Sequence, residues 1–241
     1  MLYTRFRGSP PVGRKRERSR SIDEVFSVGS DTDVLVMSDK NVNNTWFLEN
    51  ALYRSATPLW ISNGVLHARS VTQPEVQQWN SKTREFLKIP LSGAPGKTSS
   101  LTPLQLSEGT RESRQYGCFN GRASAPNEHQ LEEVAAVFKL PQLELTPGTR
   151  HELVVDWVGD VAQLRIKNKV IADKFWDGTL WRVLLEDHFT EEVTLHISPI
   201  SGDMPIGLDE AAKEKLRRSP DPSCKIHSIK LIETSIWKAS E

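Results

Sequence analysis

The sequence predicts a mainly β protein: an antiparallel β-sandwich or jelly roll, with a smaller β-rich subdomain on its N-terminal side. Three observations carry this prediction. Short runs rich in Val, Ile, Leu, Phe and Trp recur along the chain, each bounded by Gly, Asn, Asp, Pro or Ser. Asn63-Gly64 lies between two such runs, a strong hairpin signal because both turn positions accept positive φ. Helical patterns are few and short, which excludes an alternating βα architecture.

Taken in order, residues 1–32 read as a disordered, basic tail dominated by Gly, Pro, Ser and Arg. Arg5, Arg7, Arg14, Lys15, Arg16, Arg18 and Arg20 face only Glu17 within the first twenty residues. The whole chain holds 31 basic and 31 acidic residues, so the remainder is acidic by six charges. That body argues against an extended nucleic-acid face, and nucleic acid is not an expected partner of the folded part. The run Arg14–Ser21 is first a solvated tail, and second a nuclear address or RNA contact. No apolar run of signal-peptide length opens the chain, and no stretch approaches the ~18–20 apolar residues of a membrane span. The expectation is no membrane partner and, by default, a cytoplasmic location.

Val34-Leu35-Val36-Met37 reads as a buried strand. Ser38 then reads as an N-cap, with Asp39 favoured by the dipole of a short helix running through Trp46, Phe47 and Leu48. Asn41, Asn43 and Asn44 weaken that helix. Residues 59–62 and 65–69 form the Asn63-Gly64 hairpin, and Glu85–Ile89 is a further strand. These elements make a small subdomain over 33–90. Residues 91–113, rich in Ser, Gly, Pro and Thr, read as a linker, and 114–241 as the sandwich.

In that second part, Glu133–Leu140 is strand-like and 141–148 turn-rich. His151–Val158, Val161–Ile166 and Val170–Asp173 are separated by Gly159-Asp160 and Asn168-Lys169, which predicts a three-stranded β-meander. Glu192–Ile197 and Lys225–Ile236 add strands. Asp209–Arg218 reads as a short helix, acidic first and basic last, in accord with its dipole. Cys118 and Cys224 read as reduced, mostly buried thiols. No Cys/His spacing suggests zinc, and no cofactor is expected.

The stretch Trp157–Trp181 carries Gly159, Asp160, Ala162, Leu164, Asp173, Phe175, Trp176, Gly178 and Trp181 at spacings that resemble a known pattern. It is similar to the C-terminal jelly-roll, galactose-binding-like region of family-35 β-galactosidase-like glycoside hydrolases. Leu195–Pro199 and the later Asp203-Met204-Pro205-Ile206 extend that likeness, and the 33–69 region resembles the small β-rich part behind the barrel. Together the similarity spans about residues 33–237, with 157–206 its specific part.

The resemblance implies a carbohydrate-metabolism protein without the barrel that carries catalysis. Retaining hydrolysis needs two carboxylates ~5–5.5 Å apart, and the barrel alone takes roughly 250 residues. The adjacent pairs Glu132-Glu133, Glu191-Glu192, Asp23-Glu24 and Glu186-Asp187 point to opposite faces of a strand and do not converge. No Gly-x-Ser-x-Gly elbow is present, and Gly93–Thr98 resembles only the end of a phosphate loop. No catalytic residue is therefore assigned.

Gly159 and Gly178 suit turn positions with positive φ. Asp160 and Phe175 belong with them as structural positions. Trp176 and Trp181 are first expected in the core, with Asp173 and Asp177 accepting backbone N–H bonds at turns. The sharper alternative makes Trp176, Trp181, Asp173 and Asp177 a carbohydrate site, the rings stacking on a sugar.

Three roles follow. The chain is an accessory module, a fragment or partnered subunit of a catalytic barrel; a stand-alone binder of galactoside-type carbohydrate; or a nucleic-acid-associated protein acting through its basic tail. Secretion is common in the resembled family, and the absent secretion signal suggests a truncated gene product. An exposed apolar docking patch favours the first role, and clustered exposed aromatics the second.

Overall fold

The structure, a computed structural model, describes residues 24–28, 32–110, 118–119, 122–123, 126–185, 191–201, 207–219 and 223–240. The basic run Arg14–Ser21, the Asp203–Ile206 turn, the Glu186-Asp187 pair and the Cys118 side chain lie outside the described residues. Two compact units are present: Met1–Pro95 with Ile236–Glu241, and Gly96–Ser235.

The first unit begins with the antiparallel pair β1 (Glu24–Val28) and β2 (Thr32–Val36). The stretch expected to be a disordered tail thus contains a strand at Glu24–Val28. Helix α1 (Asp39–Asn43) follows, and the Ser38 hydroxyl accepts from the Asn41 N–H at 3.3 Å, as the cap signal predicts. The helix stops earlier than expected. Trp46, Phe47 and Leu48 instead form β3 (Thr45–Leu48), because the Asn residues are poor helix formers and the aromatic pair suits a strand. Trp46 Nε1 donates to the Ser55 carbonyl at 3.0 Å.

The next strands are β4 (Ala51–Arg54), β5 (Leu59–Ser62), β6 (Val65–Ser70), β7 (Val76–Asn80), β8 (Glu85–Ile89) and β9 (Leu91–Ser92). Strands β3-β4-β7-β8 form an antiparallel sheet in that order. The β5–β6 hairpin turns on Asn63 and Gly64 at φ 53° and 73°. Tyr53, Leu59, Leu66, Ala68, Val76, Leu91 and Trp237 form the core of this unit.

The second unit opens with β10 (Lys97–Leu101) and β11 (Leu104–Ser107). Both lie in the stretch expected to be a linker. Each pairs along one edge of a sheet, where backbone hydrogen bonds hold segments with few buried side chains. After the short β12 (Cys118–Phe119) and β13 (Arg122–Ala123) comes α2 (Glu128–Val134). Its capping box joins Asn127 and Gln130 reciprocally. The strand-like reading from Glu133 therefore holds only from β14 (Ala136–Lys139) onward.

There follow β15 (Arg150–Val158), β16 (Val161–Ile166), β17 (Lys169–Phe175), β18 (Trp181–Leu185), β19 (Val193–Ile197), α3 (Glu210–Arg217) and β20 (Lys225–Ala239). Residues of β20 from Ile236 onward belong to the first unit. Helix α3 is capped by the Asp209 carboxylate, which accepts from the Ala212 N–H at 2.7 Å.

One sheet runs β18-β15-β20, with β10 on the free side of β20; the other runs β11-β14-β19-β16-β17. All pairings are antiparallel. Leu153, Val155, Trp157, Val183, Ile229 and Leu231 from the first sheet share one core with Phe138, Ala162, Leu164, Val193, Leu195 and Ile197 from the second. The unit is an antiparallel β-sandwich, mainly β as predicted.

The expected three-stranded meander forms only in its second half, the β16–β17 hairpin. Strand β15 pairs with β18 and β20, whereas β16 pairs with β17 and β19. Gly159-Asp160 is a corner between sheets. The Asp160 N–H donates to the Ser198 carbonyl at 2.9 Å, and the Val161 N–H to the Ser198 hydroxyl at 3.0 Å. These bonds fasten the turn to the end of β19. Both faces of β15 near its end are covered, so the chain gains more by crossing the core than by folding back.

Candidate functional site

The 157–181 block builds this corner. Trp157 is fully buried, and its carbonyl accepts from Trp176 Nε1 at 2.7 Å. The Trp181 ring lies 6.2 Å from that of Trp157, tilted by 50°. Trp176 is 3% exposed and Trp181 5%. Neither ring offers a face to a sugar, so the structure places both in the core and corrects the carbohydrate-site alternative at these positions.

Asp177 is exposed. Its Oδ1 accepts from the Thr179 N–H at 2.9 Å and the Thr179 hydroxyl at 2.6 Å, and it stands 3.0 Å from Lys174 Nζ. Partial burial pushes its pKa up, but the Thr179 bonds and Lys174 outweigh that and hold it at about 2. It organises its own turn. Asp173 is exposed on β17, opposite Gln163. Phe175, at the end of β17, is 57% exposed. The four residues of the sugar-site alternative are thus divided between core and surface.

Gly159 does not have positive φ, contrary to expectation. A side chain there would meet Ile197 Cγ2 at 2.5 Å and the Ser198 carbonyl at 2.8 Å, so its need is for close approach. Gly178 has φ 81°, and a Cβ would fall 2.6 Å from that of Ala212 on α3. Gly178→Ala is expected to cost about 2 kcal/mol, from left-handed strain plus overpacking, read as a lowered Tm.

Asp160 is buried, and desolvation pushes its pKa up to about 6. Its carbonyl accepts from the Trp176 N–H at 2.9 Å.

A cavity among the described residues of this unit lies elsewhere. A groove of about 270 Å³ is bordered by β10, β20 and the 142–146 segment. Leu101, Leu143, Leu145 and Leu231 give it apolar walls, and Lys97, Ser99, Gln142, Glu144, Thr146 and Glu233 its polar groups. Glu233 Oε2 accepts from the Thr146 hydroxyl at 2.9 Å and lies 3.4 Å from His151 Nε2. His151 is fully buried, and its Nε2 accepts from the Thr146 N–H at 3.1 Å. Register aligns Lys97 beside Glu233, and Glu233 beside His151, across three strands. This arrangement presents a positioned carboxylate, an ammonium and the Gln142 amide beside apolar walls.

A second polar cluster surrounds Arg165, which is buried. Its guanidinium donates to Gln163 Oε1 at 2.6 and 3.0 Å and to Glu132 Oε1 at 2.8 Å. His196 lies near, its Nε2 3.1 Å from the Thr194 hydroxyl. Desolvation, then the Arg165 charge, pulls its pKa down to about 4 against the opposing effect of Glu132. Cys224 is free; burial pushes its thiol up to about 11 and its Sγ donates to the Ile197 carbonyl at 3.2 Å.

Sequence reasoning missed the groove. A signal was present: His151, Leu153 and Val155 alternate along the inward face of β15, and Ile229, Leu231 and Glu233 along that of β20. A polar residue ending an inward apolar column is the informative exception to burial.

Among the described residues, no group of three or more His, Cys, Asp or Glu could hold a metal ion, and no helix is long and apolar enough to cross a membrane. No protein-family model matches the chain, and no curated protein matches it.

Proposed function

We propose that the chain is a non-catalytic, carbohydrate-associated β-sandwich module, of the kind that accompanies the barrel in family-35 β-galactosidase-like hydrolases, and that its groove holds a galactoside-type ligand. The observation that carries the reading is the Glu233 carboxylate, oriented by the Thr146 hydroxyl at the rim of an apolar trough. A pyranose has one C–H face that is apolar and a ring of hydroxyls that donate and accept. Leu101, Leu143 and Leu231 suit the first, and Glu233, Gln142 and Lys97 the second. The jelly-roll likeness of the Gly159–Trp181 block supports the same assignment.

Attachment to a barrel, as domain or subunit, belongs to the same proposal. Leu104 and Leu106, 63% and 54% exposed on edge strand β11, supply apolar surface for it.

Titration of the chain with methyl β-D-galactopyranoside, followed by amide NMR, tests the ligand. Shifts are expected at Lys97–Leu101 and Gln142–Thr146, and Glu233→Gln is expected to weaken binding about tenfold, a loss of about 1.4 kcal/mol. Shifts absent from those segments would sink the groove assignment. The same preparation is expected to release no nitrophenol from p-nitrophenyl β-galactoside.

A further inference from the structure

The outward face of the sheet β3-β4-β7-β8 carries two rows of contrasting chemistry. Strand alternation sends Trp46, Leu48, Ala51, Tyr53, Val76 and Ile89 toward the core of the first unit. The residues between them point to the other face. Register aligns Thr45, Arg54, Gln77 and Lys88 as one row across all four strands. Two residues along on the same face, it aligns Phe47 with Leu52 and Trp79 with Phe86. Phe47 is 65% exposed. The Trp79 and Phe86 rings meet edge to face at 5.2 Å, and the Arg54 guanidinium stands 3.9 Å over Phe86. Beside the polar row opens a pocket of about 240 Å³, lined by Asn44, Arg54, Ser55, Thr57, Glu75 and Gln77.

We infer that this face binds a neutral oligosaccharide, one sugar unit in the Asn44–Glu75–Gln77 pocket and the next along the Trp79 and Phe47 row. The chemistry selects this occupant. Sugar hydroxyls need donors and acceptors together, and the pocket supplies amides, hydroxyls and a carboxylate. The aromatic row beside it suits the C–H faces of successive rings. In the pocket the Arg54 charge is matched by Glu75, so a phosphate polymer would meet no net positive charge there, and it would face a body acidic by six charges beyond the first twenty residues. A protein partner would bury a broad apolar patch, whereas here the apolar strip is one residue wide and a polar row borders it. The site is independent of the Glu233 groove.

Isothermal titration of the full chain with β-1,4-galactotetraose and with cellotetraose tests it. At least one tetraose is expected to bind, and Trp79→Ala and Glu75→Gln each to weaken that binding tenfold or more, with Glu233→Gln changing it less than twofold. Glu75 is exposed, so its variant keeps the test decisive if Trp79→Ala unfolds. Binding lost in Glu233→Gln alone overturns this inference and leaves the groove assignment standing. Binding lost in Trp79→Ala and Glu75→Gln alone supports it even where the groove assignment fails. No binding of either tetraose overturns it, as does displacement of the bound tetraose by a (dT)10 oligonucleotide.

Discussion

Trp176→Ala is expected to destabilise the sandwich by about 4 kcal/mol, the range for emptying a buried aromatic site. For a unit of this size, that lowers Tm by roughly 10 °C. Two losses add. The indole vacates a core in which Trp157 and Trp181 are also buried, and the Trp157 carbonyl loses its donor at 2.7 Å. Trp176→Phe separates them: it retains most of the ring volume and removes the bond, at about 1–2 kcal/mol. Thermal melts of both variants give the ladder wild type, Phe, Ala. Galactoside affinity of the folded Trp176→Phe protein is expected to match wild type. A Phe variant that melts like wild type yet loses affinity would reverse the assignment and return the ring to a binding role.

The same residue shows what the sequence makes legible. A Trp beside a turn is compatible with core or with sugar stacking, and only the cross-sheet contact to Trp157 separates the two. Features written in neighbouring residues were readable: the Ser38 and Asp209 caps, the Asn63-Gly64 turn and the dipole-matched α3. Features set by distant partners were not. Gly159-Asp160 looks like a hairpin turn until Ser198 fastens it to another sheet. Lys97–Leu101 looks like a linker until it pairs with Ile229–Glu233, more than a hundred residues later. The groove is of this second kind, since Lys97, His151 and Glu233 meet only through three-strand register. The aromatic and polar rows of the first unit arise similarly, from four strands of which no two neighbours reveal the alignment alone.

Asp160 and His196 give the sandwich opposed responses to acid. Folded Asp160 holds its proton up to about pH 6, against the ordinary 3.8, because burial disfavours its charge. Between those values the native state binds the additional proton, so this group's contribution falls as pH rises and its full penalty, about 3 kcal/mol, stands above pH 6. His196 does the reverse. Its folded pKa of about 4 lies below the ordinary 6.5, so the unfolded chain takes the proton first and stability falls as pH drops through that window. In the wild type the two slopes offset between pH 4 and 6. Asp160→Asn keeps a polar side chain at the corner but removes the buried charge. It is expected to raise Tm by several degrees at pH 7.5, to match wild type near pH 4, and to expose the His196 slope as a steady loss on acidification. His196→Gln exposes the other slope, and its Tm is expected to rise as pH falls from 6 toward 4. Melting curves of the three proteins across pH 4–7.5 decide the matter. Profiles that stay parallel would show that neither group carries its charge penalty in the folded sandwich.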